Sequence, residues 1–128
     1  MLETRSEPLA QRIHRESTQA SISEIARLLQ EVLSRRLTAY VAGVQDGKTV
    51  TRWASGEISE IRDFQVEQRL RATYEIVLLM LNFDSPGTIR AWFLGMNPHL
   101  DDASPADTVR NGDLQDALQA AWVFGIGA

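Results

Sequence analysis

Apolar residues along this chain recur at helical spacing and nowhere alternate as a half-buried strand would require. Ile22, Ile25, Leu28, Leu29, Val32 and Leu33 fall on one stripe of a helix of about three turns. Ser21-Ile22-Ser23-Glu24 starts that helix with a capping box, in which the serine oxygen accepts from first-turn amides while Glu24 reaches back. Ser34 interrupts the pattern. Leu37, Tyr40 and Val41 then mark the buried side of a second helix, and Gly43 ends it in a left-handed conformation that carries no Cβ penalty. Asp46 caps a third helix running through Lys48, Thr49, Val50, Thr51 and Arg52 to Trp53, where Ser55-Gly56 stops it. Asp63 opens the longest pattern, with Phe64, Leu70, Tyr74, Val77, Leu78 and Leu81 on one face as far as about Asn82. Its second half is apolar nearly all round, so the rest of the fold or another copy must cover it on more than one side.

Proline-first helix starts follow. Asp84-Ser85-Pro86 leads to Ile89, Trp92 and Phe93 and ends at Gly95; Ser104-Pro105-Ala106-Asp107 opens a short helix that ends at Asn111-Gly112. Asp113 caps the last one, Leu114 to about Phe124. Residues 1–20 are polar, contain Pro8 and show weak periodicity, which reads as an arm that is flexible or ordered only by a partner. The expected fold is all-α: a flexible N-terminal arm over 1–20, a helix-turn-helix unit with its linking helix over 21–83, and a small helical domain over 84–128.

Composition narrows the chemistry. At 128 residues the chain is one compact domain or two small ones sharing a core, and no apolar run is long enough for a membrane span. Without a cysteine there is no disulfide framework, thiolate nucleophile or sulfur-ligated metal, and without an apolar leader the expected location is cytoplasmic. The formal net charge of −4 argues against coating nucleic acid non-specifically, yet it hides an asymmetry. Over 21–56 five cations face three carboxylates; from Asp84 onward two arginines face six aspartates. A mildly basic head and an acidic tail imply different partners.

The stretch LTAYVAGVQDGKTVTRWASGE suits a helix-turn-helix, with Ala39 where the helices cross, Gly43 in the turn, and Val44 and Val50 behind it. Lys48, Thr49, Thr51 and Arg52 would face DNA, the cations meeting phosphates or guanine edges and the threonines phosphates or thymine methyls. A unit of this shape also serves as a scaffold without DNA. Gly43 to Thr49 resembles a phosphate-binding loop, but it has three residues between its glycines instead of four and follows a helical pattern instead of a strand. His99, Asp101 and Asp102 offer metal-ligating or acid–base groups, but one histidine beside two aspartates in a polar loop reads more readily as solvated surface. With no nucleophile set or cofactor turn, the expectation is a protein without catalytic activity, cofactor or metal.

Ile89-Arg90-Ala91-Trp92-Phe93, then Asn97-Pro98-x-Leu100, then Ser104-Pro105-Ala106-Asp107-x-Val109-Arg110-Asn111-Gly112 and an alanine- and leucine-rich closing helix resemble the toxin-binding domain of Xre/MbcA/ParS-type antitoxins. The resemblance covers about Asp84 to Ala128, and the helix-turn-helix ahead of it completes the family's usual order, so that about 85 to 90 residues are accounted for. It implies a type II antitoxin that binds and neutralises a cognate toxin, commonly of the RES type that degrades NAD, by occluding its active site. It further implies a homodimer within a hetero-oligomeric complex and autorepression through operator DNA. On that resemblance Trp92, Asn97, Pro98, Leu100, Phe124, Gly125, Ile126, Gly127 and Ala128 face the toxin or shape the surface that does. The residues alone add that Trp122-Val123-Phe124-Gly125-Ile126-Gly127-Ala128 is an apolar, glycine-loosened tip, which either inserts into a partner's cleft or folds back on its own core. Two further readings stand beside the antitoxin: a stand-alone transcriptional repressor, and a helical adaptor with a silent head.

Overall fold

The computed structural model describes residues 7–126, and they form helices joined by short connections with no strand among them. In chain order these are α1 (Leu9–Gln19), α2 (Ile22–Val32), α3 (Arg35–Ala42), α4 (Gly47–Ser55), α5 (Phe64–Met80), α6 (Pro86–Leu94), α7 (Pro105–Arg110) and α8 (Leu114–Ile126), with a single 3-10 turn at Pro98–Leu100 between α6 and α7.

Capping chemistry sets most of these boundaries. Ser21 and Glu24 form the full capping box of α2, and Asp46, Asp63, Ser85 and Ser104 accept from first-turn amides of α4, α5, α6 and α7. Gly43 ends α3 at φ 84°, and the Ala39 carbonyl accepts from both the Gly43 and Val44 amides, so the two helices are joined by a tight turn. Ser34, between α2 and α3, has φ 95° and ψ 158°, a region that glycine alone enters readily. Its hydroxyl accepts from the Leu37 amide and its carbonyl from the Thr38 amide and hydroxyl, which hold the residue there.

One hydrophobic core runs from Ile13 of α1 to Ala121 of α8. α5 is its axis: α1, α2, α3, α7 and α8 all pack on it, while α4 sits on α2 and α3. Leu70, Ile76, Val77 and Met80 of α5 are fully buried, which accounts for the all-round apolar pattern of its second half. The covering elements are the chain's own helices.

Three sequence expectations need correction. The arm is not wholly flexible: Leu9–Gln19 is a helix on α5, with Ile13 and Ser17 buried. The Arg71 guanidinium of α5 donates to the Ser17 and Ala20 carbonyls at 2.9 and 2.8 Å, capping α1's C-terminal end from outside it. Leu9 and Ile13 are the only large apolar residues of α1, too few to mark a stripe in the sequence. Three residues expected on buried faces are exposed: Phe64, at 71%, is the first residue of α5 and Val66 makes the inward contact; Leu81 lies just past the end of α5; and Tyr40 of α3 turns toward Arg110. The tip is not loosened by its glycines, because α8 stays helical through Ile126 and the Phe83 ring lies where a Gly125 Cβ would point. Gly127 and Ala128 lie outside the described residues.

Candidate functional site

Two sequence stretches more than twenty residues apart meet in one groove. The chain leaves α6 through Gly95 in an extended conformation, and residues 97–103 then close into a ring. The Asn97 side chain accepts from the His99 amide at 2.9 Å, its carbonyl accepts from the Leu100 and Asp102 amides, and its own amide donates to the Ala103 carbonyl. Asn97 is therefore buried and structural. Asp101 and Asp102 take left-handed conformations, φ 54° and 68°, to complete the ring, which aspartate tolerates better than most residues.

Across from this ring lies the last part of α8. Trp92, Met96, Asn97, Pro98 and His99 on one side and Ala120, Val123 and Phe124 on the other line a groove of about 470 Å³. Trp92 is 8% exposed, wedged edge-on against Phe93 with ring centres 5.1 Å apart and 6.2 Å from Phe124. Its indole Nε1–H is the one buried side-chain polar atom without a partner among the described residues. Met96 is 79%, Ile126 58% and Phe124 44% exposed, and Leu94 and Phe83 are also open to water. Of the residues expected to face a toxin, Trp92, Asn97, Pro98 and Phe124 converge here; Trp92 and Asn97 shape the wall, while Pro98 and Phe124 are accessible. Leu100 is half-buried, packed against the core, and is not part of the lining. His99, which reads from the sequence as solvated surface, is exposed and lines the groove; Met96 beside it carries no signal in the sequence.

On the head, Lys48, Thr51 and Arg52 are exposed on α4 and Thr49 is partly covered. Asp46 accepts from the Lys48 amide at 2.9 Å, so the protein's own carboxylate occupies the helix end that a phosphate-binding loop would leave open. Arg35 of α3 donates to Thr51 Oγ1 at 3.2 Å, and its stem lies 3.3 Å from where a Gly47 Cβ would stand. Arg35 thus lies along the Gly47–Thr51 stripe of α4, a neighbour that α4's sequence alone does not reveal.

Head and C-terminal half are tied directly. Arg110 of α7 donates to the Tyr40 carbonyl at 2.7 Å and its guanidinium lies 4.5 Å from the centre of the Tyr40 ring, while the Tyr40 hydroxyl donates to Asp107. That hydrogen bond to Asp107, followed by desolvation, raises the Tyr40 pKa above the ordinary phenol value. Arg90 of α6 donates to the Val32 carbonyl at 3.1 Å.

Among the described residues no three His, Asp or Glu side chains are grouped to hold a metal ion, and no helix is long and apolar enough to cross a membrane. His14, on α1, lies 3.3 Å from the Glu75 carboxylate and away from His99. Comparison with protein-family models, curated proteins and solved structures finds no match to this chain.

Proposed function

We propose that this chain is the antitoxin of a type II toxin–antitoxin pair, and that the groove beside Trp92 with the adjoining last turn of α8 is the surface that docks on and occludes the toxin. The observation that carries the reading is the convergence of Trp92, Asn97, Pro98 and Phe124 on one groove, flanked by apolar side chains that a self-sufficient domain would bury. On the resemblance stated above the toxin is of the RES type that degrades NAD, and the antitoxin acts as a homodimer in the cytoplasm by steric occlusion, with no chemistry of its own. Because Gly125 is packed against Phe83, the occluding element is a preformed helical edge, which costs less ordering on binding than a loose tip.

The test is co-expression of the tagged chain with the product of the neighbouring reading frame, scoring co-purification and rescue of growth. Phe124→Asp, at an exposed position, should abolish both while the variant keeps its helical circular dichroism. Retention and rescue unchanged by that substitution would refute the groove as the docking surface.

A second role, repression of its own operon, is favoured by the exposed cations of α4. In this reading α3 and α4 form a helix-turn-helix, with Lys48, Thr49, Thr51 and Arg52 toward operator DNA and Arg35 beside them. Replacing Lys48 and Arg52 by Ala should weaken promoter binding and reduce its salt slope by about two. An unchanged slope would leave the head a scaffold. A repressor without a toxin would instead show promoter binding and no retained partner.

A further inference from the structure

The turn that walls one side of the groove is acidic, and no lysine or arginine lines the groove. Pro98 and His99 line it, and the same closed ring carries Asp101 and Asp102, both exposed. The two cations of the C-terminal half are turned away toward the head, Arg90 onto the Val32 carbonyl and Arg110 onto the Tyr40 carbonyl. Every ion pair found among the described residues uses a glutamate at or before residue 75, so none neutralises these aspartates.

We propose that the groove's occupant is an apolar segment of a foreign protein flanked by lysine or arginine, and not a second copy of this chain. The inference rests on the docking role given to the groove above and specifies the partner's chemistry. In a two-fold pair made through this groove the same patch faces itself. A second copy would then bring the same acidic turn to the contact and no lysine or arginine from the groove lining, so the pair adds like charge without counter-charge. A basic-flanked apolar segment meets both demands at once: its side chain fills the space between Trp92 and Phe124, and its cations face the two carboxylates. The ring closed on Asn97 fixes the backbone that carries those carboxylates, so little of the attraction is lost to ordering the main chain. A homodimer formed through another face leaves this surface free.

The experiment uses the full chain and random peptides of about twelve residues displayed on phage. Panning against the wild type, with Phe124→Asp as counter-selection, should yield sequences that combine large apolar residues with an excess of Lys and Arg over Asp and Glu. A labelled selected peptide should bind about tenfold more weakly as salt rises from about 50 to about 300 mM. Asp101→Asn with Asp102→Asn should weaken it by about three- to tenfold and flatten that salt dependence. Asparagine accepts the left-handed backbone as readily as aspartate, so this change removes charge and keeps the ring. Phe124-dependent peptides with no basic excess, or an affinity indifferent to the double substitution, would overturn the basic-partner inference and leave the docking groove standing. Absence of any Phe124-dependent peptide would overturn both. Self-association in sedimentation velocity that Phe124→Asp abolishes would make the occupant a second copy and refute the proposal.

Discussion

In the head, α2 to α4, the large apolar side chains are inside; Tyr40 is the exposed one among them, and its ring lies against Arg110. In the C-terminal half, Leu94, Met96, Phe124 and Ile126 stand in water, with Leu81 and Phe83 just ahead of it in the chain. Charge is arranged the opposite way: Lys48 and Arg52 project from the head, whereas Arg90 and Arg110 of the C-terminal half are spent on the head's carbonyls and leave carboxylates outside. Both halves draw on one core and one axial helix, α5. What distinguishes them is what each exposes: Lys48 and the Glu57-paired Arg52 on a helix of the head, and an apolar groove walled by an aspartate-bearing turn in the C-terminal half.

The largest expected effect tests whether the groove stands on solid packing. Phe93 is fully buried under it, and Phe93→Ala should cost about 3–5 kcal/mol, read as a lowered midpoint in urea unfolding. Because the core is shared, a single transition followed equally by far-ultraviolet circular dichroism and tryptophan fluorescence should fall as one. Separate transitions for the two halves would break the comparison at its base.

Ser34→Gly probes the head's stored strain. Removing the Cβ from a backbone at φ 95° should raise stability by about 1 kcal/mol, since a glycine cap is only slightly poorer than serine. A loss on that substitution would mean that the hydroxyl bond to Leu37 outweighs the strain.

Ser21→Ala should lower stability by about 1 kcal/mol through loss of the α2 cap. The same box carries a pH signature. The Ser21 backbone amide, then its side chain, hold the Glu24 carboxyl below its ordinary value. A depressed folded-state value gives a contribution present above the ordinary glutamate range and lost as pH falls through the folded value. The wild type should therefore lose more stability across that acidic interval than Glu24→Gln, which cannot titrate, and parallel pH curves would contradict the box.

Met96→Ser is the smallest expected change in stability, within about 0.5 kcal/mol, because the side chain is 79% exposed. A larger loss would mean that Met96 supports the fold and not a partner.

The boundaries of these elements were legible in the sequence because caps are short-range. Ser21, Asp46, Asp63, Ser85 and Ser104 each bond amides within a few residues, and Gly43, Gly56 and Gly112 each take a positive φ. What failed was decided across distance. α1 is held by Arg71, more than fifty residues away, and its own sequence buries little beyond Ile13. Phe64 has the right spacing for the core but lies at a helix start whose packing begins with Val66. At the site, the N-P turn and the aromatic of α6 were visible as a pattern; that they close a groove with α8, and that Arg35 reaches Thr51, depends on side chains brought together only by the fold.

The central claim is that the C-terminal groove, and not the head, receives the partner protein. Amide hydrogen exchange of the free chain and of its complex with the neighbouring gene's product tests this most directly. The account predicts added protection in the ring 97–103, at the end of α6 and in the last turn of α8, with α4 unchanged. Protection confined to α4, with the groove exchanging as in the free protein, would contradict it.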